Sequence, residues 1–134
     1  MLRTTILSLL GVAMIAAAPV SVQAREKLQP EEKLAKMLEG RVAGEPRNCI
    51  SLPATSNAEI IDKTAIVYRS GGTLWVNRPT GGANSLDRDN IMVTKTTGSQ
   101  LCSIDTVQMV DNTSRMWRGF VSLGDFVPYR KAPE

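Results

Sequence analysis

The chain has no histidine, only two cysteines, and two each of Trp, Tyr and Phe among its 134 residues. Without imidazole, the Ser-His-Asp and Cys-His nucleophile systems are excluded, and so is every zinc site that relies on a histidine ligand. Two cysteines cannot supply a four-thiolate site either. Charge of one sign is also scarce: 16 Lys+Arg against 13 Asp+Glu leave a net +3. That balance builds no strong field for nucleic acid or for an anionic lipid surface. Length and composition fit one domain with a modest core. Neither a cofactor nor a metal is expected from this inventory.

The one uncharged apolar run of note, Ile6 to Ala18, falls short of the roughly 20 residues a membrane-spanning helix needs. It follows a short basic start with Arg3 and precedes Val22-Gln23-Ala24, which sets small side chains at the −3 and −1 positions of a peptidase site. The alternative cut after Ala18 places Pro19 at +1, which the peptidase disfavours. The order of these parts predicts a signal peptide over 1–24, cleaved after Ala24, and a periplasmic mature chain without a membrane span.

Residues 25–47 are rich in Glu, Lys, Arg, Leu and Ala. Pro30-Glu31-Glu32 opens a helix well, with Pro at its first position and acids in its first turn. Leu34, Met37 and Leu38 fall at i, i+3, i+4, and Gly40 is a natural stop, so a helix is predicted over about 30–39. A helix that short needs a surface to dock on. From Asn48 onward the pattern turns to β. Short runs at Cys49–Leu52, Ala58–Ile61, Thr64–Arg69, Thr73–Asn77, Ile91–Thr96, Ile104–Val110, Phe120–Leu123 and Phe126–Tyr129 are separated by turn residues. Gly71-Gly72 between two β-branched runs predicts a hairpin. In it, Ile66 and Tyr68 share one face and Ala65 and Val67 the other, while Leu74 and Val76 alternate with Trp75 and Asn77. Residues 79–90 read as a loop with one helical turn near Leu86, and 131–134 as a tail.

The expected fold is mainly all-β: a small antiparallel, partly open barrel or sandwich of about six to eight short strands over 48–130. The N-terminal helix is expected to pack on one end of it.

Cys49 and Cys102 both fall at strand-like positions, and an even count in an exported chain points to one disulfide. Two buried free thiols are the alternative. No Cys-x-x-Cys supports a redox role. Asp87-Arg88-Asp89-Asn90 places oxygen ligands two apart, as at the start of a Ca²⁺ or Mg²⁺ site, but lacks the EF-hand spacing. The plainer reading is a solvated turn. Asp62, Asp87, Asp89, Asp105, Asp111 and Asp125 are the carboxylates that acid–base catalysis without histidine would need. Nothing in their spacing brings two together, and turns explain Asp well. Arg115-Met116-Trp117-Arg118 interleaves an aromatic with basic groups on a loop, and Trp75, Asn77 and Arg78 form a similar set at a strand end. Trp75, Asn77, Arg78, Trp117 and Arg118 are therefore the candidate partner contacts. The plainer reading makes Trp75 a core residue and Arg118 a solvated one. Gly71-Gly72 and Gly81-Gly82 are followed by no helix start and are not phosphate loops.

The blocks Asn48-Cys49-Ile50-Ser51-Leu52, Ile61-Asp62, Thr64-Ala65-Ile66-Val67-Tyr68, Leu74-Trp75-Val76-Asn77, Ser99-Gln100-Leu101-Cys102 with Asp105, and Gly124-Asp125-Phe126-Val127-Pro128-Tyr129 carry a resemblance. Over about residues 47–130 the chain resembles a family of small exported proteins of Gram-negative bacteria classified as a domain of unknown function. The resemblance implies export and fold and transfers no catalytic residue.

A non-enzymatic envelope module that binds a protein partner or small ligand is the leading expectation. A small carboxylate enzyme of hydrolase type, or an inhibitor of a secreted enzyme using the 79–90 loop, are the alternatives. A flat exposed face with Trp117 and Arg118 favours the first, a pocket of converging carboxylates the second, and a protruding loop the third.

Overall fold

The computed structural model describes residues 27–134. The expected signal peptide and its cleavage site lie outside the described residues. Among the described residues one helix, α1 (Pro30–Met37), precedes ten strands: β1 (Arg41–Ala43), β2 (Cys49–Ser51), β3 (Asn57–Ile61), β4 (Ala65–Ser70), β5 (Thr73–Asn77), β6 (Asn90–Thr94), β7 (Gln100–Cys102), β8 (Thr106–Asp111), β9 (Trp117–Ser122) and β10 (Phe126–Lys131). A 3-10 turn at Ala83–Ser85 interrupts the long loop before β6. The strands form three sheets, ordered β1-β10-β5-β4-β3, β2-β7 and β6-β8-β9, with antiparallel pairing throughout. The fold is thus mainly β and antiparallel, and among the described residues no sheet closes into a barrel. No helix among the described residues is long and apolar enough to cross a membrane.

Period-two alternation splits the five-stranded sheet into two buried faces. On one, Ile61, Ala65, Val67, Leu74 and Val76 meet Leu34 of α1, with Met37, Leu38 and Tyr129 packed alongside. On the other, Ile60, Ile66, Tyr68 and Phe126 meet Ile50 and Leu101 of the two-stranded sheet and Val107, Met109 and Val121 of the three-stranded one. The molecule is therefore layered: helix, five-stranded sheet, then the two smaller sheets. α1 lies on a sheet face rather than at the end of a barrel, because Leu34, Met37 and Leu38 need an apolar surface, which Ile61 of β3 presents together with Ala65, Val67, Leu74 and Val76 of β4 and β5. Burying Leu34, 2 % exposed, contributes roughly 2 kcal/mol. Ion pairs hold the flanks of the helix: Lys33 with Glu59 at 2.8 Å and Arg78 with Glu31 at 2.8 Å.

The 70–73 hairpin forms as its glycines require. Ser70 pairs with Thr73, and Gly71 adopts φ +57°, the left-handed value a two-residue hairpin needs at its first central position. Three strands differ from the sequence reading. β1 lies beyond the predicted helix, in a part of the 25–47 segment where no strand is expected, and pairs Arg41, Val42 and Ala43 with Lys131, Arg130 and Tyr129. The expected tail thus begins one residue later, since Lys131 belongs to β10. β7 pairs with β2. β9 starts at Trp117, inside the stretch read as a loop. Three residues carry too little alternation to announce a strand, and β1 and β7 are made by their partners.

Candidate partner-binding face

The three-stranded sheet turns Val107, Met109 and Val121 inward to the core. Opposed residues of an antiparallel ladder share a face, so its outer side carries two cross-strand rows. One runs Ile91–Val110–Trp117 and the other Val93–Gln108–Phe120. Five of the six are apolar. Among the described residues, no other element packs over this face to give Trp117 and Phe120 cover: they are 61 % and 54 % exposed, and Met116 beside them is 67 % exposed.

Simple alternation would send Trp117 and Phe120, three positions apart, to opposite faces. A bulge prevents this. Gly119 pairs with Met109 and Trp117 with Val110, leaving Arg118 as the extra residue. Gly119 takes φ +134° at that point. The two aromatic rings consequently lie side by side, with centroids 6.3 Å apart. The freed Arg118 reaches back to Asp111, donating from Nε at 3.2 Å and from Nη2 at 2.8 Å to Oδ2. Asp111 Oδ1 accepts the Thr113 and Ser114 backbone N–H groups at 2.9 and 2.7 Å, which shapes the β8–β9 turn. The Ser114 backbone bond first, and then Arg118, hold the Asp111 carboxyl well below the usual carboxylate range.

The free edge of β9 is occupied by the preceding loop. Thr80 N–H donates to Ser122 O and Ser122 N–H to Gly81 O, each at 3.0 Å. Gly82, at φ +75°, runs so close to the Phe120 carbonyl that any Cβ would collide with it. Leu86, 1 % exposed, anchors the far end of the loop in the core. The 79–90 loop therefore lies along the strand and does not protrude.

The other candidates are placed differently. Cys49 and Cys102 stand opposite each other in β2 and β7 and are joined by a disulfide, with Cα atoms 4.0 Å apart. No free cysteine remains. Asp105 caps the turn beyond the bond, accepting the Cys102 N–H at 2.7 Å. Trp75 is half-buried against the core, and its outer edge lines a depression of about 270 Å³ with Arg47 and Gln100. Asn77 is fully buried and bonded to Gly124, so its side chain is not available to a partner. Arg78 is engaged by both carboxylate oxygens of Glu31, at 2.8 and 3.1 Å. That bond, ahead of simple charge attraction, lowers the Glu31 pKa and raises that of Arg78. Of the five candidate contacts, only Trp117 and Arg118 share one open surface. Phe120 belongs with them, and sequence alternation could not reveal it because the bulge changes its face.

The carboxylates are partly gathered. Asp87, Asp89 and Asp111 line one polar depression of about 380 Å³ with Asn84, Ser85 and Arg118. Asp87 accepts the Asp89 N–H at 2.9 Å, and Asp62 accepts that of Arg88 at 2.8 Å. Among the described residues no group of three or more acidic or thiol side chains has metal-holding geometry. No family model, curated protein or solved structure matches the chain.

Proposed function

We propose that this protein is an exported, non-enzymatic binding module of the cell envelope, akin to the small exported family it resembles, and that a protein partner docks on the outer face of the three-stranded sheet. The observation that carries this reading is the exposed Trp117–Phe120 pair, set on one face by a bulge. Water-exposed aromatic groups on an uncovered sheet cost solubility and suit recognition, since Trp and Arg supply much of the energy of interfaces. Arg118 and Asp111 at one end offer a polar rim. A carboxylate enzyme working in the Asp87–Asp89–Asp111 depression is the second reading. Against it, Asp111 already accepts four hydrogen bonds and is held ionised, which unfits it to exchange a proton near neutral pH.

A photo-crosslinking residue at Phe120 tests the proposal in cells. The expected result is a discrete protein adduct from position 120 and none from the exposed Lys36 of α1 on the far side of the central sheet. Trp117→Ala with Phe120→Ala should abolish the adduct-dependent phenotype while leaving the melting temperature nearly unchanged. If Asp87→Ala with Asp89→Ala abolishes the phenotype instead, and the aromatic pair does not matter, the enzyme reading takes its place.

A further inference from the structure

An unpaired sheet edge is a template for another strand, and proteins blunt such edges with charge, proline, brevity or a cover. Most edges here are blunted. β3 carries Glu59, held by Lys33 and Arg69, and β1 begins with Arg41. β9 lies under the loop at Thr80–Gly81, and β2 and β7 are each three residues long. β6 is different. Its five residues Asn90-Ile91-Met92-Val93-Thr94 contain no charge and no proline, and among the described residues it pairs only with β8. The Asn90 N–H bonds Asp87 O rather than β8. By the alternation of an antiparallel ladder, the main-chain groups of Met92 and Thr94 then point to the open side. That side borders a depression of about 450 Å³ whose far wall is Ala58, Glu59 and Ile60 of β3.

We propose that the β6 edge is a self-pairing site, at which two copies of the chain join β6 to β6 antiparallel about a two-fold axis through Met92. The occupant is a second copy because the edge reads alike in both directions: polar Asn90 and Thr94 at the two ends, β-branched Ile91 and Val93 next to them, Met92 at the centre. Self-pairing sets Asn90 against Thr94, Ile91 against Val93, and Met92 against itself, so polarity matches at every position and no like charges meet. The two three-stranded sheets become one. On its outer side the Ile91–Val93 pairs extend the rows that hold Trp117 and Phe120. On its inner side the flexible Met92 side chains meet at the mouth of the depression, which suits an adaptable thioether. This inference is independent of the partner face, and either can fail alone.

Sedimentation equilibrium of the purified protein from about 1 µM to about 1 mM, the range of modest protein affinities, tests it with charge-swapped variants. The wild type is expected to shift from monomer to dimer mass with concentration. Met92→Lys and Met92→Glu should each stay monomeric, and their equimolar mixture should regain the dimer mass. A wild type that is monomeric throughout, or a dimer that persists in both folded variants, overturns the proposal. Should either variant unfold, amide hydrogen exchange at Met92 in the wild type decides: slowing with concentration supports self-pairing, and unchanged exchange refutes it.

Discussion

The side-chain amide of Asn77 and the backbone of Gly124 form a closed pair of hydrogen bonds, Nδ2 donating to the Gly124 carbonyl at 2.7 Å and Oδ1 accepting its N–H at 3.0 Å. A side chain at the end of β5 thus stands in for a strand and satisfies the chain just before β10. Asn77→Ala orphans two buried backbone groups and should cost roughly 2–5 kcal/mol in a denaturant titration. Asn77→Asp keeps the acceptor but loses the donor when ionised. Burial raises such a carboxyl's pKa, so stability present at low pH falls as pH rises through the folded value. The variant should therefore be more stable near pH 4 than near pH 7.

The disulfide closes a separation of 53 residues, a constraint worth about 4 kcal/mol in the chain-entropy model. Strands as short as β2 and β7 have little else to hold them. Cys49→Ser should lower stability by about 2–5 kcal/mol, and adding Cys102→Ser should change little further. Equal melting temperatures for the single and double variants check the coupling.

Tyr68 is 4 % exposed, stacked edge-on against Phe126 with ring centroids 5.7 Å apart, and its hydroxyl has no hydrogen-bond partner among the described residues. An orphaned buried hydroxyl costs more than its removal, so Tyr68→Phe should stabilise the protein by about 1 kcal/mol. Burial also pushes the Tyr68 phenol above its ordinary value near 10. A raised folded pKa means that stability is intact below the unfolded value and is lost as pH climbs past it. The wild type should lose stability above about pH 10, with Tyr68→Phe less sensitive in the same titration.

Asp111 has the opposite sign. Its pKa is depressed by Ser114 and Arg118, so its contribution is present above the unfolded carboxyl value near 4 and declines as pH falls from there. Asp111→Asn should flatten acid sensitivity in that range. It should also loosen the β8–β9 turn and separate Trp117 from Phe120, read as a change in tryptophan fluorescence without global unfolding.

Much of this architecture was legible in the chain. The alternation of Ala65–Tyr68 and Leu74–Asn77 assigned both faces of the central hairpin, and Pro30 and Leu34 announced the helix. The cysteines announced their bond through an even count at strand-like positions of a chain read as exported. What stayed hidden depends on partners distant in sequence. Nothing local marks Arg41–Ala43 as a strand until β10 lies beside it, and Asn77 looks like a surface polar group until Gly124 closes on it. The binding face was half visible. Trp117 and Arg118 stood out by residue type, whereas Phe120 joins them only through a bulge whose register is set by Met109 and Val110 on another strand.

β1 and β10 are neighbours, with Arg41 opposite Lys131 and the Ala132 N–H bonded to Gly40 O at 3.0 Å. The chain thus enters and leaves its sheet at one corner. Tension applied between these two points loads the β1–β10 bonds in succession, as a zipper, rather than together in shear. Because β1 is only three residues long, it is the first element to peel, while the disulfide that joins β2 to β7 lies away from the opening fork.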